Sequence, residues 1–283
     1  MAQTKIWDGD KFVGWTPFGK DYNVAATTKT IGGSFALAAG EVQKRLICAI
    51  DGLEKGGKSN FALTMPGPIA YQSFDVGLEG VIEKFQKTKD IYLAEYGLTV
   101  EKGDDQGAIM NKVLPVWNLF TKDFKDVMLP GMKKGTIKSG VWDTGSEIWE
   151  VLRLARLGKL TQVMPHHYTA LNAEYQNLVR DVFETPGNLC ILHKLKPEWK
   201  DNPTTGKGNK TGNYERAGYA GTGFLVQVNA TAWRDMETGV FHLTVKDCRQ
   251  NPAIMGLDLE GELCTFPWLA VNVYPTTMLS DWE

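Results

Sequence analysis

An α/β protein is expected from this sequence for three reasons. An apolar run at residues 45–51 leads through a glycine-rich turn into a helical pattern that starts at Lys58. A second helical pattern follows Asp143, and a third, at residues 168–185, comes just before an apolar run at 188–192. Short apolar runs that alternate with helical segments of this length are typical of α/β folds.

The composition indicates a globular protein with a sizeable core. The chain has 283 residues, of which 43% are hydrophobic and 23% are charged. It lacks both the roughly 18 consecutive apolar residues of a membrane span and the apolar centre of a signal peptide, so we expect a cytoplasmic protein with no membrane partner. The four cysteines are far apart and form no C-x-x-C pair, which favours reduced thiols over disulfides or a zinc site. A net charge of -2 argues against a globally basic nucleic-acid binder but leaves a local basic patch open.

The turn after the first apolar run fits the P-loop pattern G-x-x-x-x-G-K-[ST] through Gly52, Gly57, Lys58 and Ser59. In a P-loop, backbone N–H groups converge on phosphate oxygens, the lysine reaches the β- and γ-phosphates, and the hydroxyl holds magnesium. We therefore expect ATP and Mg²⁺ as ligands, the alternative being a purely structural glycine-rich turn. The nucleotide-binding residues are predicted to be Gly52, Leu53, Glu54, Lys55, Gly56, Gly57, Lys58, Ser59 and Asn60.

Asp143 is the predicted second metal ligand. A P-loop enzyme needs another carboxylate, usually an Asp that ends a strand beside the P-loop strand. Asp143 stands where a strand interrupted by Lys138, Ser139 and Gly140 meets the helical pattern of residues 148–156. The alternative is that Asp143 is only a helix N-cap.

Three further residues follow predicted strands. Asp75 and Glu79 come after the run at 68–74, where either could activate the water that attacks the γ-phosphate, although Glu79 also fits a first-turn helix position. His193 follows the run at 188–192, and ligands in open α/β sheets bind outside the carboxyl ends of the strands. His193 is therefore predicted to sense the γ-phosphate, the alternative being a structural histidine.

Residues 194–222 are predicted to form a long mobile basic loop, because Pro, Gly, Asn and Thr are frequent there. Basic residues with aromatic faces between them suit sequence-tolerant binding of single-stranded DNA. An ordinary solvated insertion is the alternative. The predicted DNA-binding residues are Lys196, Trp199, Lys200, Lys207, Lys210 and Arg216.

The ends of the chain are less informative. Residues 1–44 are expected to form a small N-terminal addition to a core of residues 45–283. A β-rich part follows the basic loop, with two strands joined by a turn at 235–239. The last twenty residues contain an apolar patch that either covers a sheet edge or docks a partner.

Taken in order, the segments IDGLEKGGKS, YQSFDVGLEGVIEKF, SGVWDTGSEIWEVLR, YTALNAEYQNLVRDVF and NLCILHKLK resemble the RecA-like P-loop ATPases of bacteriophages, including the phage single-strand annealing ATPases. The resemblance covers roughly residues 45–250. It implies a RecA-like core with a mostly parallel sheet, helices on both faces and ATP at the strand ends. It also implies a homo-oligomer that acts on single-stranded DNA in recombination or replication, in the host cytoplasm, with a single-strand-binding protein as a further partner.

The resemblance supports phosphate and metal roles for Lys58, Ser59 and Asp143, and a sensor role for His193. Such assemblies often complete the ATP site with a neighbour's basic residue, for which Lys246 and Arg249 are candidates. The chain departs from the family at the catalytic glutamate, which commonly follows a strand-end acid as D-x-E. That position is Gly77 when counted from Asp75, and Glu79 lies two residues later.

The leading hypothesis is an ATPase that acts on single-stranded DNA. One alternative is a P-loop kinase of a small phosphate acceptor, which needs an arginine-rich lid, and Arg153 and Arg156 form the only compact arginine pair. The other is a nucleotide-gated interaction protein with little hydrolysis, which the glycine at position 77 favours.

Overall fold

A computed structural model describes residues 44–75, 77–159, 164–201 and 208–283, together with four short strands in the first 43 residues. The chain divides into two compact units, Met1–Lys44 and Arg45–Glu283. In the first unit, two antiparallel pairs are described. They are formed by β1 (Lys5–Asp8) with β2 (Lys11–Trp15) and by β3 (Thr30–Gly32) with β4 (Phe35–Ala36).

The second unit is built on one mixed sheet, of which nine strands lie in the described residues. Its strands are β5 (Ile47–Gly52), β6 (Ile69–Ser73), β7 (Ile91–Glu95), β8 (Ser139–Asp143), β9 (Asn188–Asp201), β10 (Gly208–Arg216), β11 (Val228–Arg234), β12 (Phe241–Cys248) and β13 (Asp258–Glu260). The order across the sheet is β13-β12-β11-β5-β9-β8-β6-β7. From β11 to β7 the strands are parallel, and β12 and β13 continue the sheet in antiparallel pairs.

Helices cover both faces of this sheet. They are α1 (Lys58–Leu63), α2 (Gln106–Asp123), α3 (Leu129–Lys134), α4 (Gly145–Leu157), α5 (Tyr168–Phe183), the short α6 (Thr222–Leu225) and α7 (Phe266–Val273). Apolar side chains of α1 and α7 share one core cluster with Cys48 and Ile50 of β5. Those of α2 to α5 share the other with Ile47 and Ala49, because successive side chains of a strand point to opposite faces. The expected α/β class and the mostly parallel sheet with helices on both faces are confirmed.

The strand that carries Asp143 is fully buried despite its polar sequence. Ser139 is satisfied by a hydrogen bond from its hydroxyl to the Pro66 carbonyl at 2.7 Å. At Gly140 the Met128 and Met132 side chains fill the space that a Cβ would need. The glycine therefore allows α3 and the turn before it to lie close to the sheet.

Three expectations are corrected by the topology. β9 separates the P-loop strand β5 from the Asp143 strand β8, so these two strands are not neighbours. The basic segment is not a long mobile loop, because β9 and β10 pair in antiparallel register as an arm, from Leu195 with Arg216 to Asp201 with Gly208. The apolar C-terminal patch forms α7, which packs into the core beside α1.

Within the described ranges, we find no helix with the length and apolar character that a membrane crossing requires.

Candidate functional site

The P-loop begins where β5 ends. Lys55 and Gly57 both have positive φ, 58° and 90°, which turns the chain sharply into α1. The Nζ atom of Lys58 donates hydrogen bonds to the carbonyls of Gly52 at 2.9 Å and Leu53 at 2.8 Å. Burial lowers the pKa of Lys58. The lysine head thus lies within the turn, on the carbonyls of the loop that it closes.

The other predicted P-loop positions differ in exposure. Leu53, Glu54 and Lys55 at the tip of the turn are exposed, whereas Gly56 is buried and Asn60 is half-buried.

Ser59, on α1, contacts Asp143 at the carboxyl end of β8. The Ser59 hydroxyl donates to Asp143 Oδ2 at 3.0 Å, and the Tyr71 hydroxyl donates to the same oxygen. Asp143 is 3% exposed, and this burial raises the pKa of its carboxyl even though both hydrogen bonds act to lower it. The helix N-cap is Thr144, whose hydroxyl accepts from the Glu147 amide at 3.2 Å, so the N-cap interpretation of Asp143 is wrong. A hydroxyl and a carboxylate in contact are oxygen ligands of the kind that Mg²⁺ takes.

The two predicted catalytic acids have different surroundings. Asp75 is half-buried, and its Oδ2 lies 3.7 Å from the Nζ of Lys194, which also binds Glu147 Oε1 at 2.9 Å. Lys58 and Asp143 both interact electrostatically with Asp75. Glu79 is exposed. Asp75 therefore lies within electrostatic range of the P-loop lysine and the Asp143 carboxylate.

His193 is completely buried within β9, which continues past it to Asp201, so the expectation that the strand ends at residue 192 is wrong. Its Nδ1 lies 3.1 Å from the Ala217 carbonyl, and its Nε2 has no hydrogen-bond partner among the described residues. The ring packs against Gly145, where a Cβ would be 2.9 Å from Nε2. Burial and then the nearby Arg216 charge lower the pKa of His193 to about 3, so the imidazole is neutral. The ring therefore packs against the start of α4, two residues after Asp143.

Asp51, which the sequence did not single out, binds two basic residues that were predicted to contact ligands. They are Arg216, a predicted DNA-binding residue, and Lys246, a candidate for a neighbour's ATP site. Arg216 Nη2 donates to Asp51 Oδ2 at 3.1 Å, and Lys246 Nζ donates to Oδ1 at 3.1 Å. The Thr231 hydroxyl completes the set at 2.7 Å. Arg216 therefore faces the P-loop strand and is not available to DNA, which corrects its predicted role. Arg249, in contrast, is exposed and donates to the Phe224 carbonyl at 2.7 Å.

On the arm, the lysines are less free than their number indicates. Lys196 pairs with Glu215 at 3.1 Å and Lys200 with Glu198 at 3.2 Å. Lys210 Nζ lies 5.5 Å from the centre of the Trp199 ring. Lys207 falls outside the described residues.

One face of the arm is aromatic. Trp199 pairs with Lys210 and Pro197 with Tyr214 across the two strands, so all four side chains share a face. Both aromatic rings are exposed, at 58% for Trp199 and 53% for Tyr214.

Glu147 and Lys194 were also missed as site residues. Glu147 lies one helical turn after Asp143, and Lys194 directly follows His193, so their neighbours were the available signal. Their 2.9 Å ion pair joins α4 to β9, a contact between segments 47 residues apart.

No protein-family model and no curated protein matches the chain. Among solved structures it is similar in fold to the RadB recombinase, with 11% identity and a TM-score of 0.42, over 76% of this chain and 86% of that one. The flagellar accessory protein FlaH from Methanocaldococcus jannaschii gives 10% identity and a TM-score of 0.36, over 76% and 84% of the two chains. At these identities the similarity concerns the fold alone.

Proposed function

We propose that the chain binds ATP and Mg²⁺ at the P-loop and hydrolyses ATP. In this proposal it also binds single-stranded DNA and acts on it in phage-type recombination or replication. The observation that carries the proposal is the contact between Ser59 and Asp143 at the end of the P-loop. Their 3.0 Å hydrogen bond joins residues 84 positions apart into one oxygen-rich site.

The triphosphate would lie over the turn that ends β5. Lys58 is already within this turn, and its three N–H donors would exchange loop carbonyls for phosphate oxygens. Mg²⁺, when bound, neutralises charge that develops on the phosphates, and Ser59 and Asp143 would hold it.

Asp75 is the better candidate for the residue that orients the attacking water. Ser73, the last residue of β6, pairs with Asp143 in the sheet. If Ser73 takes the first position of the D-x-E pattern, the position of the catalytic glutamate falls on Asp75 rather than on Gly77. The chain reads Ser-Phe-Asp over these three positions. Lys194, which contacts Asp75 and Glu147, would hold this carboxylate in place.

The aromatic face of the arm supports the DNA part of the proposal. Bases of any sequence can stack on exposed rings, and Lys210 adds a positive charge beside Trp199. Lys194 contacts Asp75 and Glu147, and Arg216 contacts Asp51, so among the described residues of the arm Lys196, Lys200 and Lys210 remain for the phosphate backbone. Stacking on Trp199 and Tyr214 would then contribute more than charge.

The arm also connects to the nucleotide site. The Ser146 hydroxyl donates to the Ala217 carbonyl at 3.0 Å and accepts from the Lys194 amide at 3.0 Å, which joins α4 to the two residues that flank the base of the arm. In a homo-oligomer, Arg249 is the better of the two candidates to reach a neighbour's site, because Asp51 holds Lys246.

The kinase alternative loses its main support, since both arginines of the compact pair are engaged. Arg153 binds Glu150 at 2.5 Å and Arg156 binds Glu174 at 2.7 Å.

ATP turnover with and without single-stranded DNA tests the proposal, measured on the wild type, Lys58→Ala, Asp75→Asn and Glu79→Gln. We expect DNA-stimulated turnover that Lys58→Ala and Asp75→Asn abolish. Phosphate transfer to nucleosides without a DNA effect would favour a kinase. ATP binding without turnover would favour a nucleotide-gated interaction protein.

A further inference from the structure

The hairpin between β11 and β12 lies directly against the P-loop. Gly57 packs on the Phe241 ring so closely that a Cβ there would be 2.6 Å from Phe241 Cδ1. Gly52 and Gly56 lie against the Ala232 carbonyl, and a Cβ at Gly56 would be 2.9 Å from that oxygen. This side of the P-loop is therefore bounded by the end of β11 and the start of β12.

Arg234 and Phe241 form a cross-strand pair at this boundary. The guanidinium carbon of Arg234 lies 5.3 Å from the centre of the Phe241 ring, and its Nε donates to the Gly239 carbonyl at 2.9 Å. The guanidinium is thus backed by the ring and anchored by the turn. Arg234 is exposed and Phe241 is half-buried, which leaves the guanidinium open to the surroundings on its other side.

The direction of a bound nucleotide follows from the sheet order. Asp143 ends β8, Lys194 lies on β9 and Asp75 follows the end of β6, all to one side of β5, and the reacting phosphate must be near them. The base must then lie towards the other side, where β11 and β12 follow β5. Strands in a sheet are spaced about 4.8 Å apart, so β11 and β12 lie about 5 and 10 Å from β5, within the reach of a nucleotide.

We propose that Arg234, supported by Phe241, forms the surface on which the purine base of the nucleotide stacks. This inference rests on the proposed nucleotide site and adds the residue that recognises the base. Arginine suits the role because its planar guanidinium stacks on π-systems, whereas the ammonium of lysine is a point charge. Arg234 is the binding residue, and Phe241 is a positioning residue that holds the planar guanidinium in place.

Comparison of two ligands separates the nucleoside from the phosphates. ATP and inorganic tripolyphosphate share the phosphate chain, and only ATP has a base and a ribose. Their dissociation constants with Mg²⁺ would be measured by calorimetry for the wild type, Arg234→Lys, Phe241→Leu and Lys58→Ala. Arg234→Lys keeps the charge but loses the plane, and Phe241→Leu keeps apolar volume but loses the ring.

We expect Arg234→Lys to weaken ATP binding about tenfold and to leave tripolyphosphate binding unchanged. Phe241→Leu should act in the same direction, and Phe241→Tyr should restore ATP affinity. Met236→Ala is the matched control, because Met236 lies in the same turn and is 91% exposed. It should change the affinity for neither ligand.

Wild-type ATP affinity in Arg234→Lys would overturn the inference, as would an equal loss of both ligands. Lys58→Ala tests the proposed function separately, and it must weaken the binding of both ligands. If the wild type binds neither ligand, both the proposed function and the inference fail.

Discussion

Arg216, the last residue of the arm, donates two hydrogen bonds to Asp51, the residue before the first P-loop glycine, at 3.1 and 3.3 Å. The Asp51 side chain is 2% exposed and that of Arg216 is 15% exposed. This ion pair joins residues 165 positions apart and fixes the base of the arm to the strand that leads into the P-loop turn.

Arg216→Ala should lower the free energy of unfolding by about 3 kcal/mol, because it leaves a buried carboxylate with Lys246 as its remaining charged partner. Urea denaturation measures the change. Lys196→Ala, which breaks the exposed pair with Glu215, is the control and should change stability by less than about 1 kcal/mol. Equal effects of the two substitutions would show that the Asp51 pair is no more than a surface contact.

Asp143→Asn should separate stability from metal binding. The buried carboxylate has a raised pKa, so its charged form is costly in the free protein, and a neutral amide should leave thermal stability equal or higher. The added stability that Mg²⁺ and ATP confer on the wild type should be lost in the variant. A thermal shift by Mg²⁺ and ATP that matches the wild type would exclude Asp143 as a metal ligand.

Asp75→Asn should lower ATP turnover about 100-fold, and Glu79→Gln should leave it nearly unchanged. The reason is that Asp75 lies by Lys194 and interacts with Lys58, whereas Glu79 is exposed. Single-turnover rates, with the protein in excess over ATP, measure this. The reverse order of effects would assign catalysis to Glu79.

His193 should make the protein less stable in acid. Its pKa is about 3 in the folded chain and about 6.5 in the unfolded one, so the unfolded chain binds the extra proton between these values. The contribution of His193 to the free energy of unfolding is complete above pH 6.5. It is lost as the pH falls towards 3, at about 1.4 kcal/mol per pH unit. Urea denaturation at pH 5 and pH 7 should show this slope, and His193→Asn should flatten it. An unchanged slope in the variant would mean that other groups cause the acid sensitivity.

Trp199→Ala and Tyr214→Ala should each weaken single-stranded DNA binding about tenfold, because each removes one stacking surface from the arm. Fluorescence anisotropy at low salt measures the affinity, with Tyr92→Ala as the control. Tyr92 is similarly exposed, at 59%, but lies on β7 at the far edge of the sheet. Unchanged affinity in both arm variants would remove the aromatic face from the DNA proposal.

Local patterns explain which elements were predictable. The P-loop, the strand before it and α1 are encoded by neighbouring residues, and so are α4 and α5 with their 3.6-residue periodicity. The arm was misjudged because its Gly, Asn and Thr content favours loops, whereas pairing between β9 and β10 satisfies the backbone in a way that composition does not reveal.

Residue order alone predicts the glycine-rich P-loop turn, the α/β class and a strand-end carboxylate at Asp143, because each depends on short-range spacing. Tertiary structure assigned partners to the charges. It placed Arg216 and Lys246 on Asp51, Lys194 between Asp75 and Glu147, and Arg234 on Phe241. The physical reason is that a lysine or arginine looks the same in sequence whether it faces solvent or a buried carboxylate. Only the packing of distant strands decides between the two.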